Sequence, residues 1–176
     1  MGWTTLHKSS GQTTKEWFLQ EWSNAKDYEV LDVAVVGYTE LYAAVKNKCN
    51  GEVFAVIYMI NHMPKSWYNF GYKDMDETCS PCIINCPKRI YDLLTPTTDE
   101  YSILWRSKVA KKLERSVLIK KIGDRIFKTK EPIYFHSGCE YSHFKRDGKY
   151  FMALDNNLSP VTLVKFKLKD YEFELI

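Results

Sequence analysis

The chain has 176 residues, 45% of them hydrophobic and 15% aromatic, which is enough for one packed domain with a small additional module and excludes a disordered chain. A formal net charge of +3, from 25 basic and 22 acidic residues, is too mild to indicate a nucleic-acid protein by itself. The first 115 residues hold 14 charges of each sign, so the excess lies wholly in residues 116–176, with 11 basic and 8 acidic.

The first ten residues are polar and lack the apolar core of a secretion signal, and no apolar run approaches a membrane span. Five cysteines, an odd number, are therefore expected to be reduced thiols in a cytoplasm.

Taken in order, Gly2–His7 reads as a short strand, rich in Trp and Thr. Thr13 and Glu16 have the spacing of a capping box, opening a helix to about Ser23 whose apolar face carries Trp17, Phe18, Leu19 and Trp22. Tyr28–Lys48 and Glu52–His62 read as antiparallel strands with a turn or bulge at Gly37, and Asn50-Gly51 is a hairpin signal. A meander of three or four strands with the first helix on one face is expected. Pro64–Pro87 reads as a long irregular excursion. Pro87–Leu94 reads as a short helix stopped by Thr95-Pro96, and Thr97 or Thr98 is expected to cap a second helix ending near Arg115.

From Val117 onward the pattern is of four to five short strands, with a hairpin turn at Arg146-Asp147-Gly148-Lys149. The fold class expected is thus α+β. Residues 1–115 form an antiparallel β-meander with covering helices, and 116–176 a small SH3-like β-barrel module.

Four clusters carry potential chemistry. Cys79, Cys82 and Cys86 form C-x₂-C-x₃-C, a spacing that suits zinc, with a fourth ligand from His62, His136, Cys139 or His143; the alternative is three reduced thiols in a packed loop. His136, Cys139 and His143 are a second group, for a metal or a Cys-His dyad, against a plain strand pair. In Lys73-Asp74-Met75-Asp76-Glu77 the alternate carboxylates project to one side of an extended segment. They could hold Mg²⁺ or serve as acid and base. Alternatively they accept backbone N–H groups, or pair with Arg89 or Arg106, and so lock the loop. The aromatics Trp67, Tyr68, Phe70 and Tyr72, beside Lys65 and Lys73, suit a binding surface for protein or bases, or else core.

A further set, Lys120, Lys121, Arg125, Lys128, Lys130, Lys145, Arg146 and Lys149, is a possible nucleic-acid face. Interspersed Asp124, Glu131, Glu140 and Asp147 favour a solvated mixed surface instead. No phosphate cradle, nucleophile elbow or zinc-protease helix motif is present, so no catalytic residue is assigned and no cofactor beyond the possible zinc.

The run NFGYKDMDET, then NCPKRIYDLLTPT and EYSILWR, resembles a family of uncharacterised proteins from bacteriophages, prophages and conjugative elements of Gram-positive bacteria. The opening MGWTTLHKSSGQTTKEWFLQEW is similar to the usual start of that family, and the resemblance covers about residues 1–115. Cys79-Ser80-Pro81-Cys82 departs from the Met/Gly-Pro-Tyr type of stretch that members carry there. The resemblance implies a mobile-element accessory protein inside a bacterial cell, with no reaction attached. A protein that binds a host protein is therefore expected, possible roles being inhibition of a CRISPR or restriction defence. Nucleic-acid binding and metal- or Cys/His-dependent catalysis stand as alternatives.

Overall fold

A computed structural model describes residues 4–7, 13–38, 40–61, 68–78 and 83–176. The chain divides into two compact units, Met1–Leu113 and Glu114–Ile176.

In the first unit, β1 (Thr4–His7) precedes α1 (Thr14–Trp22), and β2 (Tyr28–Val36), β3 (Glu40–Asn47), β4 (Val53–Asn61) and β5 (Tyr68–Met75) follow. They form one antiparallel sheet in the order β1-β5-β4-β3-β2. The meander is thus as expected, with β1 added beside β5. The capping box forms: the Glu16 N–H donates to Thr13 Oγ1 at 3.2 Å, and the Thr13 N–H donates to Glu16 Oε2 at 2.7 Å. Gly51 adopts φ +77° in the Asn47–Glu52 turn, a conformation that explains glycine there.

β5 corrects the expectation of an irregular Pro64–Pro87 segment. Gly71 and the charged Lys73-Asp74 argue locally against a strand. The free edge of β4 outweighs them, pairing Val56 to Met75 through Asn61 to Phe70.

The sheet has two covered faces. On one, Phe18 of α1 packs with Leu41, Ala43, Val45, Val56 and Tyr58. On the other, Tyr42, Ala44, Ala55 and Ile57 meet Cys86, Ile90, Trp105 and Val109. The centre of β3, Leu41–Val45, and nearly all of β4 are apolar because both faces of the sheet are covered there. The second face is closed by α2 (Lys88–Tyr91) and α3 (Glu100–Ile122). α2 is shorter than expected. α3 is capped by Asp99 rather than by Thr97 or Thr98, since Asp99 Oδ1 accepts the Ser102 N–H at 2.7 Å. α3 also continues seven residues past Arg115, to Ile122. The β-branched Val117 and Ile119 suggested a strand, but Leu118 and Ile122 are drawn into the core of the second unit, and packing outweighs their weak propensity.

The second unit is an antiparallel sheet of β6 (Ile126–Tyr134), β7 (Glu140–Asp147), β8 (Tyr150–Leu154), β9 (Pro160–Val164) and β10 (Phe173–Leu175), ordered β10-β6-β7-β8-β9. Among the described residues no ladder joins β9 to β10. A 3₁₀ turn, Leu168–Asp170, lies between β9 and β10. The core is aromatic: Phe127 stacks on Phe144 at 5.7 Å, and Phe166 meets Phe144, Phe151 and Tyr171 within 5.6 Å.

Candidate interaction surface

The family-like segments divide between inward and outward roles. In NCPKRIYDLLTPT, Cys86 and Ile90 are buried. Thr95 is tied to the start of β4: its Oγ1 accepts the Val53 N–H at 2.9 Å, and its own N–H donates to Val53 O at 3.1 Å. Arg89 reaches the edge strand β2, pairing with Asp32 and donating to Val33 O at 2.7 Å. In EYSILWR, Ser102, Trp105 and Arg106 turn inward. The Trp105 indole donates to Ile83 O at 2.8 Å, and Arg106 donates to Asp76 and Thr95 O. Tyr101, Ile103 and Leu104 turn outward, with Tyr101 69% and Leu104 48% exposed. The inward side carries the polar Ser102 and Arg106 and the outward side Tyr101, Ile103 and Leu104, so polarity alone does not tell which is buried.

The acidic cluster does not converge on one point. Asp74 is buried and accepts the Met75 N–H at 2.9 Å and the Thr78 hydroxyl. Asp76 is buried against Arg106, while Glu77 is exposed. Burial pushes the Asp76 carboxyl up, and Arg106 opposes that shift. Asp74 thus accepts a backbone N–H and Asp76 pairs with Arg106, two of the contacts considered for these carboxylates.

Lys73 belongs to a separate group. Its ammonium pairs with Glu21 and sits 4.0 Å over the Trp17 ring. The Tyr58 hydroxyl donates to Glu21 Oε2 at 2.5 Å and accepts the Trp22 indole N–H at 3.1 Å. Burial and then Glu21 push the Tyr58 phenol up. This network fastens α1 to β4 and β5. Trp67 and Lys65 lie outside the described residues, and Tyr68, Phe70 and Tyr72 are described only by their register on β5.

Cys79, Cys82 and His62 lie outside the described residues. Cys86 is described and buried, its thiol 3.7 Å from Pro87 O. Among the described residues no group of three His, Cys, Asp or Glu is placed to hold a metal, and this covers His136, Cys139 and His143. Cys139 is exposed, in the turn before β7. His143 lies on β7 opposite Lys128 and Leu154, its Nδ1 3.2 Å from Ser142 Oγ.

The basic residues of the second unit are dispersed. Lys128 lies opposite Glu174, and Lys130 pairs with Glu172 at 3.3 Å. Arg125 folds back onto the carbonyls of Lys121 and Ile122, and Lys121 lies 5.4 Å over Phe173. Lys145 and Arg146 are consecutive on β7, so they project to opposite faces, and Lys120 and Lys149 are exposed.

No protein-family model, curated protein or solved structure matches the chain. Among the described residues, no helix is long and apolar enough to cross a membrane.

Proposed function

We propose that this chain is an accessory protein of a bacteriophage or other mobile element that acts by binding a host bacterial protein, with a CRISPR or restriction defence component as the first target to examine. The observation that carries the reading is the outward half of EYSILWR. Tyr101, Ile103 and Leu104 stand exposed on α3, beside Lys108 and Lys111. Exposed Tyr and aliphatic groups on a rigid helix lose little entropy on binding and form the centres of protein interfaces. The inward half holds the fold, and the outward half leaves three large apolar side chains in water.

The second unit is read as an SH3-like module. A four-stranded meander, one 3₁₀ turn and a fifth strand returning to pair with the first support that reading. The nucleic-acid alternative has less support, because glutamates face Lys128 and Lys130 across the ladder.

The test is affinity purification of the tagged protein from bacterial lysate, with and without nuclease, alongside a Tyr101→Ala, Leu104→Ala variant. One host protein retained after nuclease, lost with the variant and re-forming a stoichiometric complex when purified, is the expected result. Recovery that vanishes with nuclease, or that the variant leaves unchanged, overturns the reading.

A further inference from the structure

Exposed sheet edges are templates for pairing with another strand, and proteins blunt them with charges, bulges or covering side chains. Three edge strands here have described side chains, and they are treated differently. β2 carries a register shift between Val30 and Asp32. Both backbone groups of its Val33 are taken: Asp32 Oδ1 accepts the N–H at 2.7 Å and Arg89 donates to the carbonyl. β10 is three residues long and carries Glu174.

β9 has no charged residue at all. Asn156 through Leu163, eight consecutive residues, are exposed, with Val161 at 49% and Leu163 at 50%. Its one irregularity lies at its start, near Pro160, so Thr162–Val164 pair regularly with β8. The preceding turn holds Leu158 at φ +63°, the one non-glycine residue with positive φ among the described residues. A leucine is held in that left-handed conformation at a cost that Gly or Asn would avoid. Its side chain is spent on exposure, not on core.

Charge identifies the occupant. Lys145 shares a cross-strand row with Met152 and Leu163, and Lys165 and Lys167 follow β9 directly, all three lysines exposed. Asp155, ahead of β9, is engaged by the N–H groups of Asn157 and Ser159 at 2.8 Å each.

We infer that the free edge of β9 is a docking site for an extended acidic segment of a partner protein, added as a further strand. Main-chain hydrogen bonds to β9 supply affinity. Leu158, Val161 and Leu163 meet the guest's apolar side chains, and Lys145, Lys165 and Lys167 meet its carboxylates. This surface is independent of the one on α3.

The test titrates the full-length protein, isotope-labelled for NMR, with two synthetic peptides about ten residues long. One alternates Glu with Val, the other Lys with Val. The acidic peptide is expected to shift the Val161–Val164 amides, with affinity falling as salt rises, and the basic peptide to leave them unmoved. Leu163→Glu, at an exposed position, should weaken binding about tenfold or more and Leu158→Asn should weaken it less. Both variants should keep the remaining amide spectrum, and Tyr101→Ala with Leu104→Ala should bind the peptide as the parent does. Unshifted Val161–Val164 amides, or undiminished binding by Leu163→Glu, would overturn the assignment. So would concentration-dependent shifts of those amides without peptide, which would give the edge to a second copy of the chain.

Discussion

Arg106 and Asp76 form a buried ion pair, the guanidinium Nε 2.7 Å from the carboxylate Oδ2, with their side chains 11% and 1% exposed. The same guanidinium donates to Thr95 O, and Thr95 is bonded to Val53. One side chain on α3 thereby joins the end of β5, the Thr95-Pro96 loop and the start of β4.

Removing one partner leaves the other charge buried and uncompensated. Asp76→Ala and Arg106→Ala should each destabilise the first unit by about 3–5 kcal/mol, and the double variant by less than the sum of the two. Urea denaturation of the three variants measures this; independent, additive losses would show the pair is not coupled.

Arg89 and Asp32 occupy the backbone groups of Val33 on the outer edge of β2. Arg89→Ala frees a carbonyl on a strand with exposed Leu31 and Val35. Stability should change little, by about 1 kcal/mol, because the pair is partly solvated. Self-association should rise, and sedimentation velocity over a concentration series reads it.

Burial, reinforced by Asp76, pushes the Cys86 thiol up to about 12. Cys86 should therefore stay unmodified by iodoacetamide at pH 8, while exposed Cys49 and Cys139 react, as peptide mass mapping would report. Urea should make Cys86 as reactive as the others. Rapid native alkylation of Cys86 would contradict its packing.

The backbone and hydroxyl of Thr13 hold the Glu16 carboxyl below its ordinary range. The folded-state pKa is depressed, so this stabilisation is present above the ordinary pKa of 4.5 and lost as pH falls through the folded value. Glu16→Gln should flatten the acid limb of the stability curve slightly, with Thr13→Ala acting the same way. Thermal melts between neutral and acidic pH test the sign.

Local signals proved sufficient where one side chain acts on its own neighbours. The Thr13–Glu16 box and the Asn50-Gly51 turn could be read because their partners lie within three or four residues. The strand β5 could not. Gly71, Lys73 and Asp74 lower its intrinsic preference, and only pairing with β4 on one side and β1 on the other makes it a strand. α3 was cut short for the converse reason, since Val117 and Ile119 look strand-like until Leu118 and Ile122 find a core to fill.

The sequence by itself determined the α+β class, the order of the main elements and the candidate residues, because periodicity and turn chemistry are local. It did not determine which candidates meet. Asp74 and Asp76 are two residues apart yet serve Thr78 and Arg106, and Glu21 and Lys73 are fifty-two apart yet pair. Nor could it tell which face of EYSILWR, or which sheet edge, remains in water. Those outcomes depend on long-range packing, where burial of one face and capping of one edge are decided by what the rest of the chain brings to it.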